Sequence, residues 1–291
     1  MAVVVGVDAG GTASKAVVLD QAGHELGRGR AGPGNPSATG AAAVRAIGSA
    51  LRSALRAAGV PDPAAVTSGV VGVAGASALA DPAIAAEFKA EWANLGLTTE
   101  PRIVGDAVTA FAAGGDWPAG AVLISGTGAV AALVDGLEVV RVADGLGWLL
   151  GDEGSGLWLG LRAVRLAARK WEAPLSRRVA AHAAAATPDA LVRWAQALPP
   201  FGALAPVVCA LAESGDPDAT TIVTEAGARL VATLDELDSP GAPVVLGGGL
   251  LTADTPVRRA VLAQLAGRGT TVGTAADPAL GAARLAARLV R

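Results

Sequence analysis

The fold is decided by residues 3–20, which read VVVGVDAGGTASKAVVLD. Val3 to Val7 is mostly β-branched and Ser14 to Leu19 alternates in polarity, so each run predicts a strand. Between them, Asp8-Ala9-Gly10-Gly11 predicts a tight turn, and a second turn follows at Asp20-Gln21-Ala22-Gly23. The chain therefore opens with a strand, a glycine turn and a second strand.

The rest of the first half is predicted from the same kinds of pattern. We expect a third strand at 26–30, a loop at 32–36, a helix from Thr39 to Gly59, a strand at 68–74, a helix at 83–95 and a strand at 102–104. This order is βββαβαβ, and it leads into Gly105-Asp106.

The second half repeats the opening. The patterns predict strands at 121–125, 129–134 and 137–142, helices at 155–171, 176–185, 189–198, 204–214 and 217–237, a strand at 244–246, a helix at 256–266, a strand at 270–272 and a closing helix at 278–289. We expect an α/β fold with an N-terminal lobe at 1–115 and a C-terminal lobe at 116–291, because Gly114 to Pro118 is the best boundary. The last helix can pack back on the first lobe.

Composition excludes several classes of protein. The chain has 291 residues, 52% of them hydrophobic, which is enough for a large core and rules out disorder. A net charge of −3 argues against a nucleic-acid partner or an anionic membrane surface. One cysteine and two histidines leave no disulfide framework and no Cys- or His-based metal site. No apolar stretch reaches the ~20 residues of a membrane span, so we expect a cytoplasmic protein.

Glycine turns follow four predicted strands or hairpins. They are Gly10-Gly11-Thr12, Gly126-Thr127-Gly128, the stretch 145–156 and Gly247-Gly248-Gly249. Glycine lets main-chain N–H groups converge on an anion, although any one such turn can be simple turn chemistry. Residues 126–131 match the dinucleotide fingerprint GxGxxA, but a strand and not a helix is predicted to follow, which argues against a dehydrogenase. Two mirrored glycine hairpins instead predict a two-lobed phosphate clamp.

Four motifs together carry a resemblance to a known family. They are GVDAGGT at 6–12, VGDA at 104–107, ISGTG at 124–128 and GWLLGDEGSG at 147–156. In this order, across nearly the whole chain, they resemble the BadF/BadG/BcrA/BcrD ATPase and N-acetylglucosamine kinase family of the actin, sugar kinase and heat-shock-70 superfamily. The resemblance implies a two-lobed actin-like ATPase fold of the ribonuclease H type. Each lobe is then a mixed sheet with flanking helices, and the active site lies in the cleft between the lobes.

The resemblance also implies which residues handle ATP and Mg²⁺. Asp106 is the expected catalytic base, with a helix N-cap as the alternative, and Asp8 is expected to hold the hydrated Mg²⁺. The expected phosphate and adenosine contacts are Gly10, Gly11, Thr12, Lys15, Thr127, Gly128, Gly248 and Gly249. For each of these, the alternative is an ordinary turn or strand position.

The sugar contacts implied by the resemblance are Asn35, Asp106, Gly126, Trp148 and Asp152. Asp152 and Asn35 have caps or turns as alternatives. Asp144 stands where the family often has Gly, and Val130 and Leu146 stand where animal N-acetylglucosamine kinases have Asn and Trp. A carboxylate near the sugar suits an ammonium, and an N-acetyl group would leave it unpaired, so Asp144 predicts glucosamine as substrate. Its alternative is a solvated loop residue.

The expected activity is the ATP-dependent phosphorylation of the 6-hydroxyl of D-glucosamine. One alternative is an N-acetylglucosamine kinase. Another is an ATPase acting on a protein partner, as the activators of this family do, but those carry cysteine pairs for an iron–sulfur cluster and this chain has only Cys209. A third is a sugar sensor without catalysis, and the argument against it is the joint presence of four residues: Asp8, Asp106, Thr127 and Asp152. The family suggests a homodimer.

Overall fold

The computed structural model describes residues 2–290, which form ten strands and twelve α-helices. The strands are β1 (Val3–Ala9), β2 (Ser14–Asp20), β3 (Glu25–Ala31), β4 (Val66–Val73), β5 (Arg102–Gly105), β6 (Ala119–Ser125), β7 (Ala129–Asp135), β8 (Glu138–Asp144), β9 (Val244–Gly247) and β10 (Val272–Thr274). The helices are α1 (Pro36–Thr39), α2 (Ala41–Ala57), α3 (Pro82–Asn94), α4 (Asp106–Gly114), α5 (Gly156–Ala167), α6 (Pro174–His182), α7 (Pro188–Gln196), α8 (Ala205–Glu213), α9 (Pro217–Asp235), α10 (Gly249–Thr252), α11 (Pro256–Ala266) and α12 (Pro278–Arg288).

The chain divides into two compact units, each with its own sheet and core. Unit 1 contains Met1–Pro118, Val134–Val139 and Ala275–Arg291, and unit 2 contains Ala119–Leu133 and Val140–Thr274. Besides the stretch 1–115 expected for the first lobe, unit 1 thus includes residues 116–118 and two further segments that lie within 116–291. One of them carries α12.

The sheet of unit 1 has the strand order β3-β2-β1-β4-β5. β1 pairs with β2 in antiparallel register, which confirms the predicted hairpin, and with β4 in parallel register. The apolar face of α2 packs on the β2–β3 side through Val44, Ile47 and Leu51. α12 packs on β1 so closely that a Cβ on Gly6 would lie 2.0 Å from the backbone nitrogen of Ala283. Only glycine permits this approach of helix to strand.

The sheet of unit 2 has the strand order β10-β9-β6-β7-β8. β9 pairs with β6 and with β10 in parallel register. The core of this unit is formed by fully buried side chains of the sheet and of the helices that cover it, including Leu123, Leu159, Leu230 and Leu246. Two five-stranded sheets with flanking helices confirm the predicted α/β class. Within the described residues, no helix is both long and apolar enough to cross a bilayer.

Two predicted elements lie at other residues than expected, and the short helix α10 was not predicted. The helix expected from Thr39 to Gly59 begins earlier and is broken, because Asn35 caps α1 and Gly40 has a φ of 55° between α1 and α2. The strand expected at 270–272 lies at Val272–Thr274, because its parallel pairing with Val244–Leu246 sets the register. Because the position of β10 is set by its pairing with a strand distant in sequence, local strand propensity could not predict it.

Candidate active site

Two carboxylates meet at one edge of the sheet of unit 1. Asp8 lies near the carboxyl end of β1, and Asp106 follows directly after β5 as the first residue of α4. In register, Asp8 is level with Gly72 of β4, and Gly72 is level with Val104 of β5. Because the carboxyl ends of parallel strands meet at the same edge, one strand separates the two acids. The sheet therefore brings together the two carboxylates that the sequence predicted as metal and base groups.

The environment of Asp8 disfavours its charged form. Burial, together with the negative charges of Asp106 and Asp277, raises the pKa of Asp8 to about 6, although the charge of Lys15 acts to lower it. Lys15 lies directly opposite Asp8 in the β1–β2 pairing, so both side chains are on the same face of the hairpin. A cation bound here would relieve the repulsion between the acids.

Asp277 is a member of this cluster that the sequence analysis missed. It caps α12 by accepting a hydrogen bond from the backbone N–H of Leu280 at 3.3 Å, and its carboxylate forms an ion pair with Arg28. The Asp277-Pro278 sequence does indicate a helix start. Its place beside Asp8 depends on the packing of α12 onto β1, which no local pattern shows.

Asp106 is held as a half-buried acid at a helix start. One of its carboxylate oxygens, Oδ1, accepts a hydrogen bond from the N–H of Ala107 at 3.0 Å, and its backbone oxygen accepts one from the Thr109 hydroxyl. Burial raises the pKa of Asp106, and the Ala107 bond opposes that rise. The N-cap alternative for Asp106 is wrong, because the N-cap residue of α4 is Gly105. One carboxylate oxygen stays available to take a proton.

The first glycine turn joins β1 to β2 and contacts the loop that holds Asn35. The N–H of Gly10 donates to the carbonyl of Ala13 at 3.0 Å, and the N–H of Gly34 donates to the carbonyl of Gly10 at 2.9 Å. Gly11 and Thr12 are exposed. The Asn35 side-chain oxygen accepts from the N–H of Ser37 at 2.9 Å, so the cap that the sequence allowed as an alternative is present. Its amide N–H₂ stays free to donate to a ligand.

Unit 2 brings two more of the predicted glycine loops to one edge of its sheet. β6 and β9 are parallel neighbours with Ile124 level with Gly247, so the loops at 126–128 and 248–249 start side by side. The start of α5 fixes the first of these loops, because the N–H groups of Gly156 and Leu157 donate to the carbonyls of Gly126 and Thr127 at 2.8 and 3.2 Å. Backbone N–H groups in such loops can bind phosphate oxygens.

Asp152 lies against the same glycine loop. Its Oδ1 accepts a hydrogen bond from the N–H of Ala129 at 3.0 Å. Burial raises the pKa of Asp152, the Ala129 bond lowers it, and the charge of Asp144 raises it. The structure thus brings Asp152 together with Gly126, Thr127 and Gly128, as a group within unit 2.

Asp144 is the last residue of β8, and Trp148 lies in the loop between β8 and α5. The Asp144 carboxylate accepts hydrogen bonds from the N–H groups of Asp152 and Glu153 at 2.7 and 2.8 Å. Asp144 is therefore paired without any ammonium, so the premise that it would be left unpaired by an N-acetyl sugar is wrong. The alternative of a merely solvated carboxylate is wrong for the same reason. Trp148 is 44% exposed, so its indole is accessible to a ligand.

The donor set fits a hydrated magnesium ion bound mainly through phosphates. Among residues 2–290, no group of three or more His, Cys, Asp or Glu side chains is arranged to hold a metal ion by itself. Mg²⁺ is typically bound by one or two carboxylates together with substrate phosphates and water. Asp8, half-buried among other acids, fits the role of such a carboxylate.

Comparisons with known proteins agree with this geometry. A family model described as the BadF/BadG/BcrA/BcrD ATPase family matches residues 5–286. A protein of Chromobacterium violaceum, provisionally assigned as an N-acetylglucosamine kinase, is 27% identical with a TM-score of 0.78, over 98% of this chain and 99% of that one. One of Porphyromonas gingivalis, assigned in the same provisional way, is 23% identical with a TM-score of 0.74, over the whole of both chains. No curated protein matches.

A third solved structure carries ligands. It is a ROK family glucokinase from Streptomyces griseus in complex with glucose and AMPPNP, 22% identical with a TM-score of 0.60, over 98% of this chain and 99% of that one. The likeness to these structures confirms the two-lobed actin-like sugar kinase fold.

Proposed function

Because the chain belongs to the BadF/BadG/BcrA/BcrD ATPase family, we propose that it is an ATP-dependent kinase that phosphorylates the 6-hydroxyl of an amino sugar. The observation that carries the proposal is the placement of Asp8 and Asp106 at one sheet edge, each with a pKa raised by burial. A kinase of this type needs one carboxylate for the cation and another for the proton. The similarity to two provisionally assigned N-acetylglucosamine kinases supports amino sugars as the substrate class.

In the proposed reaction, Asp106 is the general base. Its free carboxylate oxygen takes the proton of the sugar 6-hydroxyl as that oxygen attacks the γ-phosphorus of ATP. The bond from the γ-phosphorus to the β–γ bridging oxygen breaks, and ADP leaves. The raised pKa of Asp106 brings its basicity closer to that of a base working near neutral pH than an exposed aspartate would have.

The remaining predicted residues supply binding. Asp8 holds the hydrated Mg²⁺, which when bound neutralises charge on the β- and γ-phosphates. The backbone N–H groups of Gly11, Thr127 and Gly128, with the Thr12 hydroxyl and the Lys15 ammonium, bind phosphate oxygens. The N–H of Gly10 already donates to the carbonyl of Ala13, so Gly10 contributes the shape of the turn. Gly248 and Gly249, which begin beside the 126–128 loop, form the adenosine contact that the family resemblance implies.

The sugar is bound by carboxylate and amide groups. The second oxygen of Asp152 accepts from sugar hydroxyls, the Asn35 N–H₂ donates to another, and Gly126 and Trp148 complete the contact. D-glucosamine is the substrate that the sequence predicts, and N-acetylglucosamine is the alternative. Since Asp144 is occupied by backbone N–H groups, it no longer favours the free amine. A homodimer stays a proposal taken from the family.

The proposal is tested by following ADP release from Mg-ATP in parallel with glucosamine, N-acetylglucosamine, glucose and no sugar. We expect release that depends on an amino sugar and exceeds release with glucose. ADP release that is equal without sugar would instead support an ATPase acting on a protein partner. Sugar binding without any phosphoryl transfer would support a sensor.

A further inference from the structure

The Asp144 carboxylate connects the two ends of the loop between β8 and α5. Oδ1 accepts from the N–H of Asp152 at 2.7 Å, and Oδ2 accepts from the N–H of Glu153 at 2.8 Å. The separations in sequence are eight and nine residues. Both oxygens of one side chain therefore bind consecutive peptide N–H groups across the loop, and bonds of this kind to a charged acceptor are stronger than neutral ones.

The backbone of the loop is shaped for this contact. A Cβ on Gly151 would lie 2.0 Å from Oδ1 of Asp144, so only glycine allows the carboxylate to come this close. Asp144 and Asp152 have φ values of 59° and 57°, in the left-handed region that costs a non-glycine residue of order 1 kcal/mol. Such conformations persist where the surrounding contacts impose them. The bonds from Asp144 are contacts of this kind.

The segment that Asp144 holds carries Asp152. The Oδ1 of Asp152 is already used by the N–H of Ala129, which leaves Oδ2 for a ligand. The direction in which Oδ2 points depends on the backbone at 152, because the φ of that residue sets where its side chain leaves the chain. The backbone at 152 is the group that Asp144 binds.

We propose that Asp144 is a positioning residue for sugar recognition, acting through the backbone of residues 152 and 153 and not through contact with the sugar. This inference rests on the proposed function, in which Asp152 accepts hydrogen bonds from sugar hydroxyls. A change at residue 144 then alters the affinity for every sugar that Asp152 contacts by the same factor, whether the sugar nitrogen is free or acetylated. Its effect on ATP binding is smaller, because Asp144 makes no hydrogen bond of its own to the 126–128 or 248–249 loop.

The test uses the full chain with Asp144→Ala, Asp144→Asn and Asp189→Ala. Asp189 is an exposed carboxylate of the same unit and serves as the matched control. Hydrogen–deuterium exchange of the peptide spanning 151–155 gives a readout that needs no catalysis. Steady-state kinetics give the KM for glucosamine, N-acetylglucosamine and ATP separately.

We expect Asp144→Ala to speed amide exchange at 152 and 153 and to raise the KM for both sugars by ~10-fold or more, the scale of one lost bond to a charged acceptor. The KM for ATP should change less than the KM for either sugar, since Asp144 makes no hydrogen bond of its own to the 126–128 or 248–249 loop. Asp144→Asn keeps one acceptor oxygen and should lie between wild type and Asp144→Ala. If Asp144→Ala does not fold, Asp144→Asn provides the same test by itself.

Two results would overturn the proposal. Unchanged exchange at 152 and 153 in both variants would show that Asp144 does not hold the loop, whether or not the protein is a kinase. A rise in KM for glucosamine alone would show direct contact with the ammonium. If wild-type protein phosphorylates no sugar but Asp144→Ala loosens the loop, the kinase proposal fails while the positioning contact stands.

Discussion

Asp8 shows how a functional residue opposes the stability of the fold that carries it. Its carboxylate is half-buried near Asp106 and Asp277, and Lys15 supplies a positive charge that lowers its pKa. Such an arrangement is useful only when a cation is bound. At the residue scale, the acid cluster is thus a site that costs stability in its unliganded state.

We predict that Asp8→Asn stabilises the metal-free protein at neutral pH while abolishing sugar phosphorylation. With a pKa of about 6 in the fold and 3.8 unfolded, wild-type Asp8 is ionised in both states at pH 7.5 and bears the full cost of burial there. The gain in free energy of unfolding should be about 1–3 kcal/mol. Urea unfolding in EDTA measures it.

The sign of the pH dependence provides the control for that prediction. Because the pKa of Asp8 is raised in the folded state, the folded protein loses the stabilising proton as the pH rises through about 6. The free energy of unfolding of wild type should therefore approach that of Asp8→Asn as the pH falls. Below the unfolded value of 3.8 the two proteins should unfold alike. A difference that persists unchanged at pH 3.5 would exclude ionisation of Asp8 as the cause.

The contact between β1 and α12 decides the integrity of unit 1 at the scale of elements. β1 is the central strand of its sheet, and its residues at 3, 4, 5 and 7 are fully buried. α12 presents small side chains to it, among them Ala279, Ala282 and Ala283. Small residues on the helix and Gly6 on the strand allow the two backbones to approach closely.

We predict that Gly6→Ala destabilises the protein by about 1–3 kcal/mol or more, as an added methyl group does in a packed interior. Its Cβ would meet backbone atoms of Ala283 and Ala279 at 2.0 and 2.5 Å, and these cannot move aside independently. Gly32→Ala is the matched control, because nothing lies within 4 Å of its Cβ position. Equal melting temperatures for the two variants would contradict the packing described for β1 and α12.

At the scale of the whole molecule, unit 1 is completed by the end of the chain. Residues from Ala275 onward belong to it together with Met1–Pro118, and they bring both α12 and Asp277. A chain that stops before them leaves β1 uncovered on one face. Completion of the unit therefore needs both ends of the sequence.

We predict that a chain ending at Thr274 lacks a cooperatively folded unit 1, because it loses the apolar surface that α12 buries against β1. A chain ending at Arg288 is the control, since it keeps α12 intact. Thermal unfolding followed by circular dichroism measures both. The truncated chain should unfold at a lower temperature and with a smaller amplitude, and an unchanged melt would contradict the role of α12.

Local patterns predicted what depends on local residues. The sequence predicted the β1–β2 hairpin because β-branched runs flank Asp8-Ala9-Gly10-Gly11. It predicted α11 because Pro256 marks the helix start and the apolar residues that follow have helical spacing. The register of β10, the place of Asp277 and the bonds of Asp144 were not readable. The first two depend on partners far along the chain, such as Arg28 for Asp277 at 249 residues. The bonds of Asp144 depend on the conformation of the loop that carries residues 152 and 153.

The account is tested most directly by detecting the phosphorylated sugar itself. Wild-type protein and Asp106→Asn are incubated with Mg-ATP and each amino sugar, and the sugar phosphate is followed by ³¹P NMR, with sugar affinity measured separately by calorimetry. We predict a sugar 6-phosphate with wild type, and a turnover at least ~10²-fold lower in Asp106→Asn with sugar affinity retained. Near wild-type turnover in Asp106→Asn, or no sugar phosphate with wild type, would contradict it.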